Sequence, residues 1–478
     1  MRCINLVAIL LFPLLVCAQK PNIIFIMSDD MGNGEVGYNN SDWDTPAIDS
    51  LAANGVIFSA AYAQPQCTPS RAAFLTGRYP FRDGMQVGVT NLWSEKHLPT
   101  ERLTIPEMLA SEGYMCGMVG KWHLGNSLPE YLPHSHGFNY WYGSTDGVLQ
   151  YTEHTARTVS GGPYDVYENG VTQTDASTYY TELLGQKAVD YINAVAGCGT
   201  GNPFFLWVSF TAPHNPYQAP ADTIALAPGG WSTDKKTKWA MVRIMDNEIG
   251  KIVQAVEDNG IADNTIIIFY SDNGSPTTTY YHSTGVGDNA PYRGGKFTLW
   301  EGGCRVPAVW YQPGSVTPGT TSTPVHLVDI LPTLASITGA GIAISDTVDG
   351  VDISPLLDGD TIAERGIILS IIEDRHWGVV QGDWKLVNNP NYSCNYDSTL
   401  TEDIRLYDLG TDPGETTDVD GANPAIVTEL QAIIDAYLPS VATPQQKTDS
   451  PPPGWVEFPV IASPKTYYDP DYYFFRAY

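Results

Sequence analysis

Two runs constrain the fold more than any other feature of the chain: Asn22 to Met27 (N-I-I-F-I-M) and Thr265 to Tyr270 (T-I-I-I-F-Y). Each is a strand's length of almost unbroken apolar side chains, so both of its faces need cover, as in a parallel sheet with helices on either side. The sequence around them alternates in the same sense. Thr45-Pro46 opens a helix that runs through Leu51 to a stop at Gly55, and Val56 to Phe58 resumes strand character. Ile105 to Ser111 has helical spacing, Tyr114 to Val119 and Phe204 to Phe210 read as strands, and Lys235 to Asp258 reads as a long amphipathic helix. This alternation predicts an α/β sandwich built on a large, mainly parallel sheet. The 478 residues suffice for one large domain and a smaller companion.

Ligands of such sheets gather at the carboxyl ends of the strands, so the polar residues that follow each strand matter. They are Asp29 and Asp30, Lys121 and His123 in Gly120-Lys121-Trp122-His123, His214 in Pro213-His214-Asn215-Pro216, and Asp272 and Asn273 in Ser271-Asp272-Asn273-Gly274. Lys121 and His123, two apart, point the same way if the strand continues through them. A further segment, Cys67-Thr68-Pro69-Ser70-Arg71, combines a cysteine with a helix start. Pro69 suits a first turn because it needs no amide partner there. The spacing predicts a helix over Pro69 to Leu75 whose positive end meets Cys67 and attracts anions. Arg71 adds a planar, permanently charged donor set for oxyanions. The plain alternative is a buried or disulfide-bonded cysteine beside an ordinary helix start.

Asp29, Asp30, Asp272 and Asn273 form an all-oxygen set, which suits a hard cation such as calcium or magnesium better than zinc. Each of these pairs alone reads as a turn or a cap, and His123 and His214 alone read as structural histidines. Two acidic strand ends in one chain with the cysteine segment favour a cation site.

The amino terminus, Met1-Arg2 followed by the apolar run Ile4 to Val16 and then Ala18, has the pattern of a signal peptide over residues 1–18. Cys17 as a lipid-bearing residue fits less well because bulky Val16 precedes it. No later segment has the uninterrupted apolar length of a membrane span. The expected destination is the secretory pathway, extracellular or lysosomal. Cys116, Cys198, Cys304 and Cys394 then remain beside Cys67, and an oxidising compartment permits disulfides among them in three pairings. Asn39-Asn40-Ser41 and Asn391-Tyr392-Ser393 are glycosylation sequons in a eukaryotic host. The formal net charge of -28 argues against nucleic acid and anionic membranes as partners. Binding of an anion therefore requires the few basic residues to converge locally.

The segment Cys67 to Arg78, C-x-P-S-R-x(4)-T-G-R, resembles the signature of the type I sulfatases. The resemblance runs from Lys20-Pro21-Asn22 to about Val419 and includes Gly120 to Gly125, Asp272-Asn273-Gly274, and Lys296 with Trp300-Glu301-Gly302-Gly303. Gln64-Pro65-Gln66 before Cys67 and His136-Gly137-Phe138 look most like the N-acetylgalactosamine 4-sulfatase (arylsulfatase B) type. The family implies an alkaline-phosphatase-like sandwich and a formylglycine nucleophile made from Cys67 by a formylglycine-generating enzyme. It also implies calcium held by Asp29, Asp30, Asp272, Asn273 and the modified Cys67, with Arg71, Lys121, His123, His214 and Lys296 around the sulfate. His214, aided by Lys296, is the candidate proton donor to the leaving alcohol, and His123 the candidate base. A sulfated glycan is the first choice of substrate and a small sulfate ester the second. Two other classes stay open: a phosphatase or phosphodiesterase of the same superfamily, which would favour Ser or Thr and two zinc ions, and an extracellular structural or binding protein with a sulfatase fold.

The expected division is a catalytic domain over 19–365 and a C-terminal subdomain and tail over 366–478. Ile367 to Ile372 and Trp377 to Val387, with a turn at Gly382-Asp383, predict a small antiparallel sheet. Arg405 to Leu409 and Asp412-Pro413-Gly414-Glu415 resemble the family's C-terminal region and are read as packing residues. The aromatic tail Tyr467 to Tyr478 is expected to dock on the body. Tyr151, His154, Tyr292 and Trp300 flank the motifs, as pocket lining or as core.

Overall fold

The structure is a computed structural model that describes residues 20–90, 94–156, 163–199, 201–277, 285–343, 347–372, 376–390 and 403–445. The signal-like segment, the Asn391 sequon, Cys394 and the aromatic tail lie outside the described residues. The strands in chain order are β1 (Asn22–Ser28), β2 (Val56–Phe58), β3 (Ala61–Tyr62), β4 (Met115–Gly120), β5 (Tyr140–Gly143), β6 (Tyr167–Glu168), β7 (Val171–Thr172), β8 (Phe204–Ser209), β9 (Thr265–Ser271), β10 (Ala308–Tyr311), β11 (Gly319–Thr321), β12 (Val325–His326), β13 (Ile367–Ile372), β14 (His376–Gln381), β15 (Trp384–Asn388) and β16 (Ile404–Asp408). Ten of them make one sheet in the order β11-β2-β10-β9-β1-β8-β4-β5-β6-β7. Its middle, β9-β1-β8-β4-β5, is parallel throughout, and β10 and β6 flank that block as antiparallel neighbours. The mainly parallel sheet expected from the apolar runs is therefore present.

β1 shows why those runs need cover on both sides, since all of its residues are buried. Ile23, Phe25 and Met27 share one core with Phe74 and Leu75 of the helix Cys67–Thr76 and with Leu331 and Leu334 of the helix Ile330–Thr338. Ile24 and Ile26 face the opposite way, into a core with Ile48 of Pro46–Asn54, Leu184 of Tyr180–Gly197 and Met245 of Thr233–Asp258. Register then fixes the functional edge. Ser28 pairs with Ser271, Met27 with Ser209, and Gly120 with Ser209, so β1, β9, β8 and β4 end at one level. The residues that follow them emerge on a single edge of the sheet.

The expected C-terminal sheet is also present, in the order β13-β14-β15-β16, with Gly382 at positive φ between β14 and β15. One face packs on the helix Pro424–Tyr437 and on Tyr79 and Phe81. The other packs on Tyr62, Leu299, Trp300 and Cys304 of the main body. Both layers thus share a core across the expected domain boundary. A buried ionic knot reinforces the joint: Lys385 of β15 lies 2.9 Å from Glu301 and 2.7 Å from Glu415, and Glu415 accepts from the Glu301 amide at 2.7 Å. The packing role read for Asp412 to Glu415 thus extends to a charged contact that sequence gave no reason to expect. No disulfide joins Cys116, Cys198 and Cys304 to one another.

Burial first, and Glu301 beside it second, push the Glu415 carboxyl up to about 7 against the pull of Lys385. The native state therefore keeps a proton that the unfolded chain releases near pH 4.5, and this contribution to stability falls as pH rises from about 4.5 to 7. Glu415→Gln is predicted to remove that component, which has a slope of up to ~1.4 kcal/mol per pH unit. Urea unfolding of both proteins at pH 5 and pH 7.5 checks this; parallel pH dependence would contradict it.

Candidate active site

Asp29 leaves β1 and Asp272 leaves β9 side by side, and the Asp30 amide donates to Asp272 Oδ1 at 3.1 Å. Asp30 holds φ 66°, a left-handed conformation that aspartate adopts more readily than most residues. Asn273 Nδ2 reaches Asp30 Oδ1 at 2.7 Å. Gly274 follows because a Cβ there would stand 1.8 Å from the Gly302 carbonyl, which brings the Trp300-Glu301-Gly302-Gly303 segment against this strand end. The four residues expected to hold a cation are therefore together and buried.

Cys67 meets them from the opposite side. The helix begins at Cys67 itself and ends at Thr76, two residues earlier than Pro69 suggested, so that Pro69 occupies a first-turn position where no amide partner is missing. Every residue of this helix is buried. Ser70 Oγ accepts from the Gln64 amide at 3.0 Å and donates to its carbonyl at 3.1 Å, folding the preceding chain back so that Cys67 opens the helix. Arg71, one turn on, spans the sheet edge. Its Nε and Nη2 donate to Asp272 Oδ2 at 3.1 and 2.8 Å, and its Nη1 donates to Lys121 O at 2.7 Å and Ser209 Oγ at 2.6 Å.

Two ammonium groups complete the centre. Lys121 donates to Asp29 Oδ2 at 2.5 Å, and Lys296 reaches the two oxygens of Asp30 at 2.7 and 2.9 Å and Cys67 Sγ at 3.7 Å. Burial works against the charge of Lys296, but Asp30, Cys67 and Asp29 outweigh it and hold the ammonium above its ordinary range. His214 sits between the cis bonds Ala212-Pro213 and Asn215-Pro216 with Nε2 3.5 Å from Asp30 Oδ2. Its Nδ1 lies 2.6 Å from the Asn215 carbonyl, an acceptor, so Nδ1 carries the hydrogen and Nε2 is the exchangeable position. Burial foremost, with Lys296 and Lys121, pushes its imidazole down to about 3 despite Asp30.

His123 reaches this edge by a route that the strand pattern did not foresee. β4 stops at Gly120, and His123 has φ 60°, so continued strand alternation does not explain its placement beside Lys121. Its Nε2 donates to Thr90 O at 2.9 Å, which leaves Nδ1 as a bare, buried acceptor with no partner among the described residues. Burial, then Lys121 and Arg71, holds this imidazole well below its ordinary value.

The electrostatics favour a cation. Arg71 is kept charged against its burial chiefly by Asp272 and Asp29. Asp272 is nevertheless pushed up to about 6, by burial first and by Asp29 next. Asp29 Oδ1 and Asn273 Oδ1 are buried without a hydrogen-bond partner among the described residues. Hard oxygen donors left unsatisfied beside three buried carboxylates fit a calcium-type ion. Asp29, Asp30, Cys67 and His214 also offer ligand atoms within 4.8 Å of one another.

Comparison with known proteins agrees with the geometry. Residues 21–340 match the model of the sulfatase family. This chain belongs to the sulfatase family. Human arylsulfatase A is similar to it at 33% identity over 473 residues, covering 90% of each chain. Human N-acetylgalactosamine-6-sulfatase is 33% identical over 436 residues, covering 83% of this chain and 81% of the relative. The crystal structure of Ps i-CgsB in complex with k-i-k-neocarrahexaose superimposes with a TM-score of 0.79 at 30% identity, covering 89% of this chain and 94% of that one. The alkaline-phosphatase-like sandwich expected of the family is thus the fold of this sulfatase, and its activity class is sulfuric ester hydrolysis.

Of the residues read as pocket lining or core, Tyr151, His154 and Trp300 of this sulfatase are core. Tyr151 is buried with its hydroxyl 2.7 Å from Thr211 O and 2.9 Å from His214 O, so it braces the His214 segment from behind. His154 is buried against Thr178, and Trp300 is buried beneath the Arg293 guanidinium. Tyr292 is half-buried against Arg305. Sequence reasoning missed Ser209, whose hydroxyl links Arg71 to Lys121 O, and the buried pair Glu35 and Lys238. Ser209 was findable as the last residue of an apolar strand that ends beside the other site residues; Lys238 carried no signal, being one of three lysines within four positions.

Burial raises the Cys67 thiol above its ordinary range in spite of Lys121 and Lys296, and the residue is only 1% exposed. In protein made without conversion of Cys67, iodoacetamide is predicted to label exposed Cys198 at least ~10-fold faster than Cys67, a gap that closes in urea. Peptide mass mapping over time reads both sites; equal native rates would contradict the described burial.

Proposed function

We propose that this sulfatase hydrolyses sulfate monoesters of a glycan through a formylglycine made from Cys67, with calcium held by Asp29, Asp30, Asp272, Asn273 and the modified Cys67. The observation that carries the reading is the convergence of Lys121, Lys296 and His214 on the buried carboxylates beside Cys67, with two oxygen donors left unpartnered. The formylglycine hydrate supplies an oxygen nucleophile and a route to sulfate release, and calcium supplies charge compensation for the sulfuryl oxygens.

The protein's own residues do the rest. Lys121 and Lys296 bring fixed positive charge to the sulfate in a site closed to bulk water, where it acts most strongly. His214 and Lys296, at 6% and 7% exposure, are the most accessible members of a cluster otherwise at 2% or less. The ester therefore enters past them with its sulfate end inward and its alcohol oxygen near their protons. His214 Nε2, once protonated, gives its proton to the departing alcohol, and the Asn215 carbonyl holds the ring by Nδ1. His123 Nδ1, bare and kept neutral, takes a proton from a hydroxyl at the nucleophile. Arg71 keeps the helix end and Asp272 in register and adds a charge behind the site.

Support for a glycan comes from the human relative named for N-acetylgalactosamine-6-sulfate and from the similar structure that carries a neocarrahexaose. The likeness of Gln64-Pro65-Gln66 and His136-Gly137-Phe138 to the arylsulfatase B type is part of this proposal, as is the division into 19–365 and 366–478. We further assign the protein to the secretory pathway, extracellular or lysosomal, with residues 1–18 as signal. Asn39 is exposed as an acceptor sequon requires, and no described helix is long and apolar enough to cross a membrane.

Mass spectrometry of the tryptic peptide containing Cys67, from protein produced with the converting enzyme, is expected to find the aldehyde or its hydrate. Unmodified cysteine in protein that still cleaves sulfate esters would overturn the mechanism. The proton-donor role predicts that His214→Ala lowers kcat on an alkyl or sugar sulfate by ~10²–10⁴-fold. The loss should be much smaller on 4-nitrophenyl sulfate, whose phenolate leaves unaided. Equal losses on both substrates would remove His214 from that step.

A further inference from the structure

Against the Asp30 carbonyl lies an ion pair that the proposed mechanism does not use. Lys238 projects from the helix Thr233–Asp258, and Glu35 ends the short turn Asn33–Glu35 that follows Asp30. Both side chains are fully buried. Lys238 Nζ lies 2.7 and 2.9 Å from the two Glu35 oxygens, 3.2 Å from the Asp30 carbonyl, and within hydrogen-bond reach of Ser275 Oγ. Glu35 is equally saturated. Its Oε2 accepts from the Gly32 amide at 2.9 Å, and its Oε1 accepts from the Asp288 amide at 3.0 Å and the Ser275 hydroxyl at 3.1 Å.

These contacts join four segments: the loop after β1, the loop after β9, the 288–289 loop and the long helix. Asp30 stands at one end of the joint and Asn273-Gly274-Ser275 at the other. A buried ion pair rarely adds net stability over apolar packing, because desolvation offsets its attraction. This pair touches the Asp30 carbonyl on one side of the cation cradle and the Ser275 hydroxyl on the other, a placement that net stability does not require. Asp30 keeps a left-handed backbone whose carbonyl must point somewhere, and Lys238 receives it.

We propose that Glu35 and Lys238 are a positioning pair that sets Asp30 and Asn273 at the spacing calcium needs. This inference rests on the calcium reading above. Glu35 ties the turn after Asp30 to Ser275, and Lys238 locks both to the helix, so the oxygens of Asp30 and Asn273 stay in place before the ion arrives. Outer partners of this kind tune metal affinity without touching the metal.

The test is calcium titration of the purified full-length protein by calorimetry, with melting in EDTA and in calcium as a second readout. Glu35→Gln combined with Lys238→Met removes both charges together and avoids an unpaired one. The double variant is expected to melt in EDTA close to the wild type yet bind calcium ~10–100-fold more weakly, with a smaller calcium-induced rise in Tm. A purely structural role predicts the reverse, a lower melting point in EDTA with the calcium increment unchanged, and that result overturns the proposal. Should the double variant not fold, Ser275→Ala, which deletes only the bridging hydroxyl, must still weaken calcium binding; unchanged affinity there overturns it as well. A wild type indifferent to calcium overturns the proposed function and this inference together, whereas calcium binding that the variants match overturns this inference alone.

Discussion

Charge compensation in the absence of water governs this molecule. Asp29, Asp30 and Asp272 are buried at the end of a parallel sheet, and Lys121, Lys296 and Arg71 are drawn against them to offset the cost of burying charge. The demand propagates outward. Arg71 reaches Asp272 only because its helix starts at Cys67 and lies flat on the sheet, and Lys296 reaches Asp30 only because Gly294, Gly302 and Gly303 let the 293–303 segment fold tightly beside Gly274. The packing of the C-terminal sheet on Leu299, Trp300 and Cys304 then holds that segment from outside. Core, loops and subdomain are arranged so that three cations arrive where three carboxylates are.

The sequence disclosed the parts of this arrangement that follow from local chemistry. Apolar runs over Asn22 to Met27 and Thr265 to Tyr270 announced the buried strands, and the acidic residues at their ends became neighbours because β1 and β9 pair in register from Asn22 to Ser28. The cysteine segment carried its own address through Pro69, Arg71 and the family signature. Where reading failed, geometry beyond the local chain decided. His123 was expected on a continuing strand; it sits instead after a break at Gly120, where a Cβ would overlap the Ser209 carbonyl. Lys238 looked like one polar residue of an amphipathic helix, and only the fold of three other segments reveals that its turn of the helix faces inward. Tyr151 and Trp300 could have been wall or core, and nothing short of packing separates those two roles.

The C-terminal sheet shows the same contrast. Its hairpin at Gly382 was legible from alternation and turn chemistry. Its attachment was not, because Lys385, Glu301 and Glu415 come from three distant parts of the chain and pair only after the layers close. The small sheet also contributes indirectly to the centre: Arg293, at the start of the Lys296 loop, donates to the Glu415 carbonyl at 3.0 Å. Removal of the subdomain would release one end of the loop that carries a catalytic candidate.

The helix that presents Cys67 is buried from its first residue to its last, under strands on one side and under the C-terminal layer near Ala73 on the other. The native molecule therefore offers no extended chain around Cys67 to an enzyme that would perform the proposed conversion. Under that proposal, conversion belongs to the time before the layers close over the helix. Under the same proposal, two chains identical in sequence and in shape differ in competence according to whether Cys67 was converted before folding.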